Sequence, residues 1–330
     1  MIELTNSSTV YVACPANLAT GGPELLHQLV YKINKLNINA TMFYYPQDRP
    51  NPVHKEYRKY DNDYVIKIID DRKNVLIVPE VKTELLYKYK NIRKVIWWLS
   101  IDNFNKKFST KTISKRLKKL LRELGVLKIY NFQTPSIVHF VQSEYAQKHL
   151  ISKGVKKIYY LSDYINEIFI NKQLNKYTEK EDIILYNPTK GYAYTKSIIN
   201  KGNDLQFIPI QNMTREQVAD LLGRAKVYID FGHHPGKDRL PRESAISRCC
   251  VITGKKGAAF YNKDVPIPSE FKYDDEKENI PAIIKKIKEC INYYDIEVKK
   301  FENYRDIVAS EEKVFEDDLK NIFAVSSLSP

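Results

Sequence analysis

A chain of 330 residues is too long for one ordinary single-core domain and suits two of about 150 each; its 43% apolar content can build two cores and excludes a disordered protein. No apolar run approaches the ~18–20 residues that span a bilayer, and residues 1–6 (MIELTN) have neither the basic stretch nor the apolar core of a signal peptide, so a cytoplasmic protein is expected. The formal net charge of +13 asks for an anionic partner, whether nucleic acid, phosphorylated substrate or acidic membrane face, and does not choose among them.

Short apolar runs alternate with amphipathic stretches, the pattern of βαβ units with a parallel sheet. Residues 10–14 (VYVAC) read as a buried strand, and after Pro23 the spacing of Leu25, Leu26, Leu29, Val30 and Ile33 predicts a helix. Further strands are expected at 74–79, 94–100, 137–141 and 157–161, with a helix over 143–152 stopping before Gly154. Residues 171–182 are nearly all polar and read as a linker. The pattern then restarts with strands at 183–186, 205–210, 227–230 and 250–253. Helices are expected from about Tyr194, over 214–224 behind a capping box of Thr214 and Gln217, and near 241–247. Residues 278–324 read as helices. Cys14, Cys249, Cys250 and Cys290 form no C-x-x-C pair and read as small buried apolar residues, supporting neither a zinc site nor a disulfide framework.

Between Lys106 and Lys128 nine Lys or Arg stand against the single acid Glu123. Ile113, Leu117, Leu120, Leu121 and Leu124 fall on one side of a helix and Lys115, Arg116, Lys118, Lys119 and Arg122 crowd the rest, a basic amphipathic helix able to lie on an anionic membrane. The same pattern also fits leucines facing a core and lysines facing water.

In open α/β sheets ligands bind beyond the carboxyl ends of the strands, so the residues after each strand are the candidates. Gly21 and Gly22 precede a helix whose N-terminus favours anions, and paired glycines also serve a plain tight turn. Ser100, Asp102 and Asn103 follow the Trp97–Trp98 strand, where a carboxylate could take a proton from an acceptor hydroxyl or merely turn the chain. Residues 187–191 (NPTKG) place Lys190 where a diphosphate could lie, and residues 231–244 (FGHHPGKDRLPRES) concentrate Lys237, Arg239 and Arg242 around a helix start, as phosphate ligands would. Glu243 could accept hydrogen bonds from ribose hydroxyls, or could simply be an acid stabilised by the helix dipole. Gly257 marks a further turn beside it. The adjacent His233 and His234 cannot comfortably share one metal, and no carboxylate spacing in the loop reads as a zinc or iron site.

Residues 240–252 (LPRESAISRCCVI) resemble the donor-binding segment of GT-B glycosyltransferases, especially the family 4 type, whose pattern is roughly G-x-P-x-x-E-A-x-A-x-G-x-P-V-I. Residues 140–147 (FVQSEYAQ), 21–24 (GGPE) and 187–191 look like other segments of the same enzymes, in the same order. The resemblance implies an α/β protein of two Rossmann-like domains facing across a cleft: an acceptor domain over 1–170 and a donor domain over 183–330, with the last helix returning to the first. It implies transfer of a sugar from a nucleotide-sugar, a UDP-sugar favoured, to a glycan or lipid-linked acceptor with retention, in bacterial surface polysaccharide synthesis such as capsule or O-antigen. Donor contacts fall on Gly22, Lys190, Arg242, Glu243 and Gly257, catalytic roles on Asp102, Lys190, Lys237 and Arg239, and acceptor contacts on Ser100 and Asn103. No cofactor or metal is implied, and the enzyme is expected in the cytoplasm, peripheral at the inner face of the plasma membrane through 106–128.

The chain departs from the family where Pro235 stands for the first acid of an E-x7-E pair, Arg248 for a glycine and Cys250 for a proline. These departures bear on donor sugar, diphosphate ligands and stereochemistry. The missing acid leaves open a degenerate GT-B protein that binds without turnover. An epimerase would carry more carboxylates and histidines, and a phosphorylase would be far larger. A nucleic-acid-binding protein is suggested by charge and 24 tyrosines, but no helix-turn-helix, zinc finger or RNP-type motif supports it, so no nucleic-acid partner is expected.

Overall fold

The computed structural model describes residues 1–108, 130–132, 134–175 and 179–325. Internal contacts divide the chain into two compact units, the first made of Met1–Gln142, Ala146–Ser162 and the chain from Val314 on, the second of Ser143–Tyr145 and Asp163–Lys313. Most of the basic amphipathic segment 106–128 lies outside the described residues. Among the described residues no helix is long and apolar enough to cross a membrane.

The first unit carries strands β1 (Ile2–Leu4), β2 (Val10–Pro15), β3 (Ala40–Tyr45), β4 (Tyr64–Val65), β5 (Val75–Pro79), β6 (Arg93–Trp98), β7 (Ile137–Val141) and β8 (Ile158–Tyr160). Seven of them form one parallel sheet in the order β4-β3-β2-β5-β6-β7-β8. A parallel sheet is covered on both faces, so its strands are continuous apolar runs rather than alternating ones. All five residues of β5 (VLIVP) are buried. Helix α1 (Gly21–Lys35) follows β2, and the five residues that predicted it, Leu25, Leu26, Leu29, Val30 and Ile33, are all buried. The strand order reverses between β2 and β5, with sequence neighbours running outward on either side.

The second unit repeats the plan with β9 (Glu181–Tyr186), β10 (Gln206–Pro209), β11 (Ala225–Asp230), β12 (Cys250–Gly254) and β13 (Lys272–Tyr273), parallel in the order β10-β9-β11-β12-β13. Its reversal lies between β9 and β11. The core is aliphatic, with Ile184, Leu185, Val227, Ile229, Val251 and Ile252 at 0% exposure. The polar stretch read as a linker contains the end of a helix, which runs to Asn175, and the start of β9 at Glu181. Among its residues with described side chains, Asn171, Glu179, Glu181 and Asp182 are exposed. All four cysteines are buried and free.

Helix α2 (Arg215–Arg224) begins at the capping box read from the sequence: Thr214 accepts from the Gln217 amide, and the Gln217 side chain accepts from the Thr214 amide at 2.7 Å. These two bonds satisfy amide groups that a helix start leaves unpaired. Thr214→Ala should lower stability by about 1 kcal/mol in urea denaturation, with the denaturant slope unchanged.

Candidate functional site

Where strand order reverses in an open parallel sheet, the loops after the two diverging strands part and leave a crevice. In the second unit those loops are 187–191 after β9 and 231–238 after β11. They are pressed together by glycines. Gly191 adopts φ +65°, and a Cβ there would stand 2.5 Å from the Phe231 carbonyl oxygen; a Cβ on Gly232 would run into the Lys190 side chain. A third loop joins through Gly257, at φ +66°, whose missing Cβ leaves room for the His234 carbonyl, and the Ala258 amide donates to that carbonyl at 2.9 Å. Side chains on this rim are therefore placed by backbone packing rather than by their own rotamers.

The rim holds a compact cluster of charges. Asp230, the last residue of β11, is buried and accepts from the Tyr228 hydroxyl at 2.9 Å and the Gly232 amide at 2.9 Å. Lys190 Nζ stands 3.3 Å from Asp230 Oδ2 and is bonded to Asp238 Oδ2. His234, fully buried, has Nε2 3.5 Å from Asp230 Oδ1 and Nδ1 3.3 Å from Asp238 Oδ2. Burial works to raise the Asp230 carboxyl, but the neighbouring His234 and Lys190 outweigh it and hold it well below the usual carboxylate range. Burial likewise opposes the Lys190 charge, and Asp230 with Asp238 reverses the balance, raising it. Asp238 occupies the N-cap position of helix α3 (Arg239–Ile246), yet its carboxylate makes no capping bond and turns to Lys190. The loop thus brings two carboxylates to the His234 imidazole, a grouping that the sequence spacing did not show. Asp230, His234 and Asp238 each present a ligand atom within 4.8 Å of the others. The spacing was hidden because the intervening backbone is loop, where i, i+4 and i+8 have no fixed geometry.

The cations expected at a diphosphate are placed differently from one another. Arg242 is fully buried; its guanidinium meets Asp163 at 2.7 Å and Glu311 at 2.9 Å. Burial disfavours that charge, but the two carboxylates more than restore it and raise the Arg242 pKa. Asp163 is lowered in turn: burial pushes it up and Arg242 with Lys237 pushes it down further. Lys237 is also buried, 2.6 Å from Glu311. Arg242 and Lys237, read from the sequence as phosphate ligands, thus neutralise internal carboxylates, and a phosphate reaching Arg242 would have to enter the core. Arg239 stands half-buried in the first turn of α3, and Glu243 is buried one turn further on.

In the first unit, Gly22 opens α1 after β2, and a Cβ there would lie 3.7 Å from the Leu99 side chain. Ser100 is the cap of the helix Ile101–Phe108, its Oγ accepting from the Asn103 amide at 3.0 Å. That bond ties the Ser100 hydroxyl to the start of its own helix. Asp102 lies half-buried in the first turn and Asn103 is exposed. Beside them is a residue the sequence reading missed. Glu80 follows β5 directly, is buried, and accepts from the Leu99 amide at 3.1 Å. Burial pushes its carboxyl up from 4.5 to about 7, against the backbone amides of Leu99 and Ser100 that pull it down. An acid placed directly after a wholly apolar strand was the available signal.

No protein-family model matches the chain, and a search of curated proteins finds no match. Solved structures do match along nearly its whole length. A glycosyltransferase from Rickettsia africae is 16% identical with a TM-score of 0.61, the match covering 96% of this chain and 100% of that one. Sucrose-phosphate synthase from Thermosynechococcus elongatus is 12% identical with a TM-score of 0.64, over 96% and 98%. HepE from Anabaena, solved with UDP, is 10% identical with a TM-score of 0.61, over 96% and 99%. The fold is GT-B.

Arg242→Met should destabilise the protein by about 3–5 kcal/mol in chemical denaturation, because it leaves Asp163 and Glu311 buried without their counter-charge. Glu80 gives a pH signature. Its raised pKa means the folded state holds the proton more tightly, so this stability is full below pH 4.5 and lost as pH rises through about 7. The loss amounts to roughly 3 kcal/mol. Denaturation curves of Glu80→Gln should lack this decline between those values.

Proposed function

We propose that the chain is a glycosyltransferase of the family 4 type that takes its sugar from a nucleotide-sugar, a UDP-sugar, held by the second unit. The observation that carries this reading is the switch point of a GT-B fold furnished with Lys190 on one loop and the start of α3 with Glu243 beside it. HepE was solved with UDP and with UDP-glucose, which favours uridine as the base. On this reading Glu243 accepts from the ribose hydroxyls, and Gly257 lets backbone approach the donor. Lys190 leaves Asp238 to meet the diphosphate together with Arg239 and the α3 N-terminus. Positive charge there stabilises the diphosphate as it departs, which is the costly part of breaking the glycosidic bond.

The acceptor, a glycan or a lipid-linked sugar, is assigned to the first unit. Asp102 and Asn103 stand after β6, a few residues past Leu99, whose side chain lies by Gly22 and whose amide bonds the buried acid Glu80. The sugar is transferred with retention, in synthesis of a bacterial surface polysaccharide, with the basic segment 106–128 holding the enzyme against an anionic membrane face. Family likeness in residues 240–252 is the support for retention and context.

Calorimetric titration with UDP, GDP, CMP and dTDP tests the reading. UDP is expected to bind, and Glu243→Ala to weaken it about 10–100-fold through loss of a charge-assisted hydrogen bond. A folded Glu243→Ala protein with undiminished UDP affinity would remove the ribose assignment, and silence across all four nucleotides would leave a GT-B protein without this activity.

A further inference from the structure

We infer that Asp230, His234 and Asp238 form a site for a divalent transition-metal ion, and that Lys190 is the resident cation this ion displaces. The three side chains come from the end of one strand, the loop after it and the cap position of the next helix, and their ligand atoms all lie within 4.8 Å of one another. Donor atoms sharing one ion at about 2.0–2.2 Å must stand roughly 3–4 Å apart, so only a small contraction is required.

His234 is what separates this cluster from an ordinary group of acids. Its side chain is fully buried, and neither ring nitrogen makes a hydrogen bond, although both face carboxylate oxygens at 3.3 and 3.5 Å. A buried imidazole normally has a partner for at least one nitrogen, since an unmade bond there costs about 1–3 kcal/mol. A metal ion would accept a lone pair from one nitrogen and satisfy it. The carboxylates are already oriented from behind: Asp230 takes one bond from the Tyr228 hydroxyl and one from the Gly232 amide, the kind of outer support that metal ligands have.

Charge balance is compatible with this: Asp230 and Asp238 bring two negative charges to one place, and a single divalent ion between them would match both. The lysine is the movable member. Its side chain is 23% exposed, against 1% for Asp230 and 0% for His234, and it belongs to a different loop from the three ligands. One imidazole with two carboxylates suits Mn²⁺ or Zn²⁺ better than Ca²⁺ or a thiolate-seeking ion. Resting on the nucleotide-sugar reading above, one consequence follows: the ion would give the diphosphate a counter-charge beside the freed lysine. The site itself does not depend on that reading.

Binding of Mn²⁺ alone, followed by electron paramagnetic resonance of the free ion with no nucleotide present, tests the site separately from that reading. The full-length protein should take up one Mn²⁺ per chain. His234→Gln and Asp238→Asn, each checked for folding by circular dichroism, should each weaken uptake about tenfold or more. Lys190→Gln should strengthen it about tenfold or more, because a site blocked for most of the time loses apparent affinity in proportion. The two opposite directions cannot arise from general destabilisation. Mn²⁺ that stays free with both the native chain and Lys190→Gln overturns the site and leaves His234 as a bridge between two carboxylates. Uptake indifferent to His234→Gln and Asp238→Asn overturns it too.

Discussion

A guanidinium sealed from water has to be matched by carboxylates, and Arg242 is matched by two that lie far off in sequence, Asp163 79 residues before it and Glu311 69 after it. The second unit depends on this ion group. It pins the middle of α3, so the residues on either side of Arg242 inherit fixed positions: Asp238 at the cap, Arg239 in the first turn and Glu243 on the next residue. Glu311 also takes Lys237 at 2.6 Å, extending the group to the loop that precedes the helix. A buried ion group adds little net stability compared with an apolar replacement, but breaking half of it is costly, so it acts as a specifying device more than as glue.

Against that fixed frame the charges on the rim have a different character. Lys190, Asp230, His234 and Asp238 stand where strand order reverses, and two of them remain partly open to water. Both groups draw on the stretch from Asp230 to Arg242, the outer through Asp230, His234 and Asp238, the inner through Lys237 and Arg242. What distinguishes them is exposure: the inner group is closed around Arg242, whereas the outer one includes Lys190 and Asp238, both partly exposed. Of the two, only the outer group has members within reach of solvent, as exchange of partners requires.

The sheet strands were largely legible because burial on both faces of a parallel sheet writes itself as unbroken apolar runs, as in β5 and β12. β3 was overlooked: its run, ATMFYY, carries a threonine and two tyrosine hydroxyls that dilute the signal, although five of its six residues are buried. The two-residue strands β4 and β13 are too short for any periodicity. The capping box at Thr214 was readable because all its parts lie within four residues. The roles of Arg242 and Lys237 were not, because their partners are remote and a sequence shows a cation without showing what neutralises it. Glu80 escaped notice for a related reason: its significance comes from burial against Leu99, which no local pattern records.

One pairing bears on how the chain is made. Strand β1 near the start pairs in parallel with Phe323–Val325, setting Ile2 opposite Phe323. Residues from Val314 on, including Phe315 packed on Trp97, belong to the first unit although the whole second unit precedes them in sequence. During synthesis the first sheet therefore emerges long before its last pieces exist. The second unit, contiguous but for three residues, has all its strands out of the ribosome earlier than the first can be finished. Order of translation and order of completion are reversed, and a nascent chain must hold an unfinished first unit soluble until its final helix arrives.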